Sequence, residues 1–195
     1  MKFLKSELAL IFALFITLTY TVFATNSYDN ISEKVTRFHV LANSNSSYDQ
    51  ELKILIKNEI FYYISDITSN CSTNIETNEL ILQNIPQINS LAQKIIIDNG
   101  FDYTVETALE YEYYPLKNYD DFSLPAGYYT GLNIKIGEAL GENWWCVLFP
   151  PLCNQTAFDT KNLTPNELDY ISSTDYEFRL KFVDFFESIK HQINS

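Results

Sequence analysis

Residues 103–113, YTVETALEYEY, decide the fold class, because the hydrophobic pattern changes there from a helical period to a period of two. Apolar and aromatic side chains alternate with Thr and Glu, which is typical of a half-buried β-strand. The apolar face carries Tyr103, Val105, Leu109, Tyr111 and Tyr113. Most of the predicted helices lie before this stretch, and most of the predicted strands lie within it or after it.

Residues 35–42, VTRFHVLA, predict an earlier strand. Phe38 and Val40 fall on one face of this strand, whereas Arg37 and His39 fall on the other. This strand is the first element in the predicted order of the domain.

Helices are predicted between these two strands. Ser47 and Gln50 fit a capping box, and apolar residues recur after them at helical spacing. A second helical zone is predicted over about residues 77–99, with Pro86 at the start of its main part. Asn99 and Gly100 indicate its end.

Strands again dominate after residue 113. Residues 124–137, LPAGYYTGLNIKIG, alternate, and residues 144–149, WWCVLF, are apolar on both faces, as in a central strand. A helix start is predicted at residues 164–167. Residues 174–192 fit a helix, with a strand as the alternative. The order predicts an α+β fold, a mixed sheet of about four strands covered by helices, as a single domain over residues 25–195.

The first 24 residues are predicted to be a signal peptide. Lys2 and Lys5 precede the apolar run 8–24, and small residues before the end of this run predict cleavage after Ala24. The alternative is that this segment stays uncleaved as a membrane anchor. Residues 25–34 are predicted to be a short polar lead-in to the domain. Either reading places the domain outside the cytoplasm. The net charge of −12 repels nucleic acid and anionic lipid headgroups, so neither is expected as a partner, and membrane contact is expected only through the N-terminal segment.

Residues 143–154, NWWCVLFPPLCN, hold two of the three cysteines. Six residues separate Cys146 from Cys153, which is too wide for a zinc hook, so no metal is predicted. A disulfide between Cys146 and Cys153 is plausible outside the cytoplasm, and two free thiols are equally compatible with the sequence. Cys71 would be left over in either case.

No motif for catalysis stands out. A nucleophile elbow and a Gly-rich phosphate loop are both absent from the sequence, so no cofactor is predicted. His39 is the one histidine inside a regular core element, where a hydrogen-bonded structural role is the alternative to a general base. We therefore predict a binding or signalling protein, not an enzyme.

Trp144 and Trp145 are candidates for a binding surface. Adjacent side chains on a strand point to opposite faces, so one indole can lie in the core while the other reaches another surface. Burial of both rings in the core is the alternative.

Two long stretches resemble the stage II sporulation protein R family of endospore-forming bacteria. These are RFHVLANSNSSYDQELKILIKNEI (37–60) and YYPLKNYDDFSLPAGYYTGLNIKIGEALGENWWCVLFPPLC (113–153). The resemblance weakens after residue 153. Matching positions are His39, Asn43, Ser44, Asp49, Gln50 and Lys53 in the first stretch, with Leu124 to Gly127 and Asn143 to Cys153 in the second. Asn45 and Lys57-Asn58 depart from the family pattern.

The resemblance implies a signalling protein secreted across the forespore membrane into the intermembrane space. Its implied partner is a membrane-embedded aspartic-type protease, stage II sporulation protein GA, which processes the precursor of sigma-E. We expect the contact surface where the loop at residues 43–50 meets the corner after Trp144. The candidate partner-binding residues are His39, Asn43, Ser44, Asp49, Gln50, Trp144, Trp145, Pro150 and Pro151. The rival hypothesis is an exported hydrolase of cell wall or peptide that uses His39.

Overall fold

A computed structural model describes residues 2–119 and 122–150, with side chains of the first helix described at residues 7–19 and 31–34. In chain order the elements are α1 (Lys2–Lys34), β1 (Thr36–Leu41), α2 (Ser47–Ile67), α3 (Asn74–Gln83), α4 (Ile85–Asp98), β2 (Val105–Tyr114), β3 (Lys117–Asn118), β4 (Ser123–Leu124), β5 (Gly127–Ile136) and β6 (Asn143–Phe149). The expected segments after residue 150 lie outside the described residues.

The described residues fall into two compact units. One contains residues 2–31 of α1 and the short antiparallel pair of β3 and β4. The other contains residues 32–114 and 128–150, and it holds the four-stranded sheet with α2, α3 and α4. Within the part of the chain that the structure describes, no helix combines the length and the apolar character needed to cross a membrane.

The four-stranded sheet has the order β2-β5-β1-β6. β1 runs parallel to β5 and antiparallel to β6, so Phe38 lies beside Leu132 on one side and Cys146 on the other. The predicted α+β fold with a mixed sheet of about four strands is thereby confirmed.

β6 does not have the central position that its apolar sequence predicted. Among the described strands it forms one edge of the sheet, and β1 lies inside the sheet. Its residues 146–149 are nevertheless buried on both faces. Burial of both faces, rather than hydrogen bonding along both edges, explains why the sequence of β6 is continuously apolar.

Helices α2 and α4 pack on one face of the sheet. Phe38 and Val40 of β1 point into this layer, as the alternation of residues 35–42 predicted. The principal core contains Phe38, Val40, Leu52, Ile56, Ile60, Phe61, Ile64, Ile81, Ile88, Ala92, Ile96, Leu132, Ile134, Ile136, Cys146 and Leu148. This continuous apolar layer is the main source of stability for the unit.

Helix boundaries differ from the sequence prediction at two N-termini. The cap of α2 is Ser46, whose hydroxyl accepts the Asp49 N–H, so Ser47 is already helical. Helix α3 begins at Asn74 and not at about residue 77, because Thr73 and Glu76 form a reciprocal capping box that was not predicted. The predicted start of α4 near Pro86 and its end at Asn99 are confirmed.

The polar lead-in over residues 25–34 is helical, because α1 continues to Lys34. Extension of an existing helix adds one hydrogen bond for each residue that it orders, which favours continuation of α1 through this polar segment.

Gly131 of β5 lies directly beneath the buried ring of Tyr114. A β-carbon at residue 131 would lie 1.8 Å from the Tyr114 hydroxyl oxygen. We expect Gly131→Ala to lower the free energy of unfolding by about 1–3 kcal/mol through overpacking, as measured by urea denaturation. In the double variant with Tyr114→Phe the cost of Gly131→Ala should fall, because the nearest atom is removed. A stable single variant would contradict this packing.

Candidate functional site

The loop after β1 is tied to the turn between β5 and β6. The Leu140 N–H donates to the Asn43 carbonyl (3.1 Å), and the Gly141 N–H donates to the Ala42 carbonyl (2.9 Å). The Asn45 side chain also accepts the Glu142 N–H at 2.6 Å. We call residues 43–50 and 137–142 together the loop–turn junction. Its two segments are held by backbone hydrogen bonds and therefore have a fixed relative position.

Asp49 is the buried anchor of the loop–turn junction. Its side chain is only 4% exposed, and its carboxylate accepts hydrogen bonds from Asn43 Nδ2 (3.0 Å) and Ser44 Oγ (2.6 Å). Burial alone raises the pKa of Asp49, but hydrogen bonds from Ser44, Asn43, Tyr103 and Ser46 outweigh it, so the pKa lies below its usual value. Asp49 therefore stays ionised and holds the loop closed.

Gln50 and Lys53 connect the start of α2 to the same turn. Gln50 Nε2 donates to the Ser44 carbonyl at 2.9 Å. Lys53 Nζ donates to Gln50 Oε1 (2.5 Å) and to the Glu142 carbonyl (2.9 Å). Burial lowers the pKa of Lys53, and the Glu142 carboxylate partly offsets this effect. The predicted residues Asn43, Ser44, Asp49 and Gln50 are thus brought together, and their polar groups mainly hold the backbone in place.

Two exposed apolar side chains lie on the loop–turn junction, and neither was predicted as part of the site. Tyr48 is 73% exposed and Leu140 is 79% exposed. Each is a large apolar residue within an otherwise polar segment, which is the signal that would have found it. Tyrosine is one of the residue types that most often anchor protein contacts, and Leu140 adds exposed apolar surface on the same junction.

Trp144 and Trp145 point to opposite faces of β6, as the alternation of a strand requires. Trp144 faces the helices, where its ring lies 5.7 Å from Phe38 in an edge arrangement and 4.6 Å from Lys57 Nζ. Desolvation lowers the pKa of Lys57. Both indoles are half-buried, so each contributes to packing while part of its surface remains accessible.

His39 packs against Trp145 on the other face of the sheet. The two rings stack with a centroid distance of 3.6 Å, and Tyr114 meets both rings edge-on. His39 is 7% exposed. A general base must reach the proton of its substrate, and this burial leaves little of the imidazole open to solvent.

A buried arginine continues this aromatic layer. The Arg37 guanidinium lies 4.8 Å from the centroid of Tyr114 and 5.0 Å from that of Tyr129. Tyr114 donates to Asn133 Oδ1 (3.3 Å), and Asn133 Nδ2 donates to Glu112 (2.6 Å). Burial, with the nearby Glu112 carboxylate, strongly raises the pKa of Tyr114, which therefore stays protonated as a donor.

The two ends of β6 are far apart. Asn143 lies opposite Leu41 beside the loop–turn junction, whereas Phe149 lies opposite Thr36. At about 3.4 Å per residue, the strand separates these ends by about 20 Å. Pro150 is buried at the Phe149 end of β6. It therefore does not meet the loop at residues 43–50, which is a correction to the predicted contact surface.

The structure describes two of the three cysteines, Cys71 and Cys146. Cys146 is disulfide-bonded and Cys71 is free. Cys153 and Pro151 lie outside the described residues, so the Cys146–Cys153 pairing stays a prediction. Within residues 2–119 and 122–150, no group of three potential metal ligands comes together.

Comparison with known proteins decides the family. The family model for stage II sporulation protein R matches residues 32–159. The chain belongs to this family. Stage II sporulation protein R of Bacillus subtilis (strain 168) is 35% identical over 127 residues, which cover 63% of this chain and 55% of that relative. The chain therefore matches about half the length of its relative, and no solved structure matches it.

The family match encloses the loop–turn junction, both tryptophans and the buried Arg37–His39 layer. Membership in the sporulation protein R family therefore applies to the part of the chain that holds these features. Residues of α1 before residue 32 lie outside the match.

We expect Asp49→Asn to lower the free energy of unfolding by about 1–3 kcal/mol at pH 7, because an amide cannot accept all the hydrogen bonds of the carboxylate. The folded-state pKa of Asp49 lies below the unfolded value of about 3.9. Its stabilisation is therefore complete above that pH and is lost as the pH falls through the folded-state pKa.

Urea denaturation between pH 7 and pH 2 tests this assignment. The difference between wild type and Asp49→Asn should shrink at the acid end, because wild-type Asp49 is then protonated as well. Glu51→Gln, at the exposed neighbouring carboxylate, is the matched control and should change stability little. A difference that is constant over the whole pH range would exclude an ionised anchor.

Proposed function

We propose that this protein is an exported sporulation signal that activates a membrane-embedded aspartic-type protease, stage II sporulation protein GA, for processing of the sigma-E precursor. Membership in the stage II sporulation protein R family supports a role in sporulation. The signal-like residues 1–24 support secretion across the forespore membrane into the intermembrane space.

The observation that carries this proposal is the loop–turn junction. Its backbone is fixed by hydrogen bonds and by the buried Asp49, while Tyr48 and Leu140 remain exposed. A surface that is already ordered loses little conformational entropy on binding. This is the property expected of a ligand that acts by contact and supplies no catalytic group.

Activation by such a ligand requires preferential binding to the active form of the protease. A ligand shifts a conformational equilibrium only by the difference between its affinities for the two forms. A rigid junction can discriminate between two arrangements of its receptor, since it does not adapt to both. Tyr48 and Leu140 would supply apolar contacts that only the active arrangement completes.

The charges around the junction narrow the choice of partner. Glu51, Glu138 and Glu142 are exposed there, and the whole chain carries a net charge of −12. Such a surface repels nucleic acid and anionic lipid headgroups. It favours a protein partner with an apolar depression and basic side chains around it.

Co-expression with the protease and the sigma-E precursor tests the proposal, with cleavage of the precursor followed by immunoblot. The wild-type protein is exported to the side of the membrane on which the protease would bind it. There it should increase cleavage of the sigma-E precursor. We expect Leu140→Ser to require about tenfold more protein for half-maximal cleavage, because it removes an exposed contact without touching the core.

Leu82→Ser is the matched control, because Leu82 is also an exposed leucine but lies on α3, away from the junction. It should behave as wild type. Absence of any rise in cleavage with the folded wild-type chain would refute the proposed function. Equal potency of Leu140→Ser and wild type would remove the junction as the contact.

A further inference from the structure

Helix α2 carries an apolar stripe that is largely exposed in the described part of the chain. Tyr48, Leu55 and Tyr62 are spaced by seven residues, and they are 73%, 44% and 65% exposed. Residues seven apart lie almost directly above one another, so the stripe runs along the helix for about 21 Å. Leu52, Ile56 and Ile60 of α2 point into the core, about 60° to 140° around the helix axis from the middle of the stripe, so core packing alone does not explain the three exposed side chains.

The same outward face is acidic. Glu51, Glu59 and Asp66 are exposed and lie within about 60° of the stripe around the helix axis, given a rotation of about 100° per residue. The two lysines of the helix point elsewhere. Lys53 is buried against the Glu142 carbonyl, and Lys57 lies over the Trp144 ring. The face therefore combines large apolar groups with negative charge alone.

We propose that Tyr48, Leu55 and Tyr62, here called the α2 seam, form the docking surface for an amphipathic helix with basic flanking residues on the receptor protease. This inference rests on the proposed function and names the partner surface that the function needs. A spacing of seven residues is the repeat with which one helix packs along another. The carboxylates beside the seam would pair with lysine or arginine of the incoming helix.

Charge argues against the other occupants of such a face. A second copy of this chain would bring Glu51, Glu59 and Asp66 toward an equally acidic surface, which is repulsive. An anionic membrane would repel the same carboxylates. A basic helix is the occupant that gains from both the apolar stripe and the charge around it.

The seam also adjoins the loop–turn junction. Tyr48 belongs to both surfaces, since it lies in the first turn of α2, two residues after the Ser46 cap. The hydrogen bonds that fix the junction thereby fix the start of the seam. The docking surface begins at Tyr48, within the loop–turn junction, and follows the helix to Tyr62.

The first test removes the apolar side chains. In the co-expression assay, we expect the double variant Leu55→Ser/Tyr62→Ser to need at least about tenfold more protein than wild type for half-maximal cleavage of the precursor. Its matched control is Leu82→Ser/Ile97→Ser, which removes two exposed apolar side chains from α3 and α4. The control should retain wild-type potency, and circular dichroism should show the same helix content in both.

The second test reverses charge and leaves the apolar side chains in place. We expect Glu51→Lys/Glu59→Lys to reduce potency by a similar factor, whereas Glu79→Lys/Glu110→Lys, at exposed carboxylates outside the seam, should have little effect. Because the substituted side chains are exposed, these variants preserve the core and still test the seam if the serine variant is unstable. Co-purification of wild type with the detergent-solubilised protease should weaken as salt rises, since salt screens the pairing.

Defined outcomes overturn the inference. Wild-type potency in both seam variants would remove the seam while leaving the proposed function intact. Sedimentation showing a dimer of wild type that Leu55→Ser/Tyr62→Ser dissociates would assign the seam to a second copy. Seam-dependent binding to phosphatidylglycerol vesicles would assign it to a membrane. Absence of cleavage with wild type would refute the proposed function itself.

Discussion

A strand that has neighbours on both edges and packed layers on both faces cannot slip by one residue without sending every side chain to the wrong layer. β1 is that strand in this protein. Phe38 and Val40 belong to the helix-covered core, whereas Arg37 and His39 belong to the aromatic layer behind the sheet. These two incompatible environments fix the register of β1 against β5 and β6.

The fixed register has a consequence at the end of β1. The chain leaves Leu41 beside Asn143, so the loop after β1 starts next to the turn that precedes β6. Polar side chains of that loop then satisfy the backbone N–H groups of the turn. The buried carboxylate of Asp49 completes the loop, because burial of a charge is tolerated only where hydrogen bonds compensate its lost hydration. A rigid surface is therefore a product of strand register.

This arrangement suits a ligand better than a flexible binding loop would. The network that shapes the junction lies beneath it, while Tyr48 and Leu140 lie outside it. The side chains that shape the surface and those that can contact a partner are thus largely different residues. Aromatic packing behind the sheet adds rigidity, since the Arg37 guanidinium and the tyrosine rings leave little room for rearrangement.

Local structure and most of the alternation of faces follow from the order of residues along the chain. The strand at residues 103–113, the start of α4 near Pro86 and its stop at Asn99 and Gly100 depend on neighbours in the chain and were predicted. The caps at Ser46 and Thr73 were not predicted, and Tyr111 of the predicted apolar face is 70% exposed whereas Tyr114 on the other face is buried. The opposite directions of Trp144 and Trp145 follow from the pleat of a strand. Family resemblance was likewise visible in short blocks of sequence.

Tertiary packing set the strand order, the edge position of β6 and the separation of Pro150 from the loop. It also decided that Asp49 is an anchor and that Tyr48 and Leu140 are exposed. These properties depend on residues up to about one hundred positions apart, such as the contact of Asn45 with Glu142. Local periodicity carries no information about such pairs, because strand order and burial are set by the packing of the whole sheet.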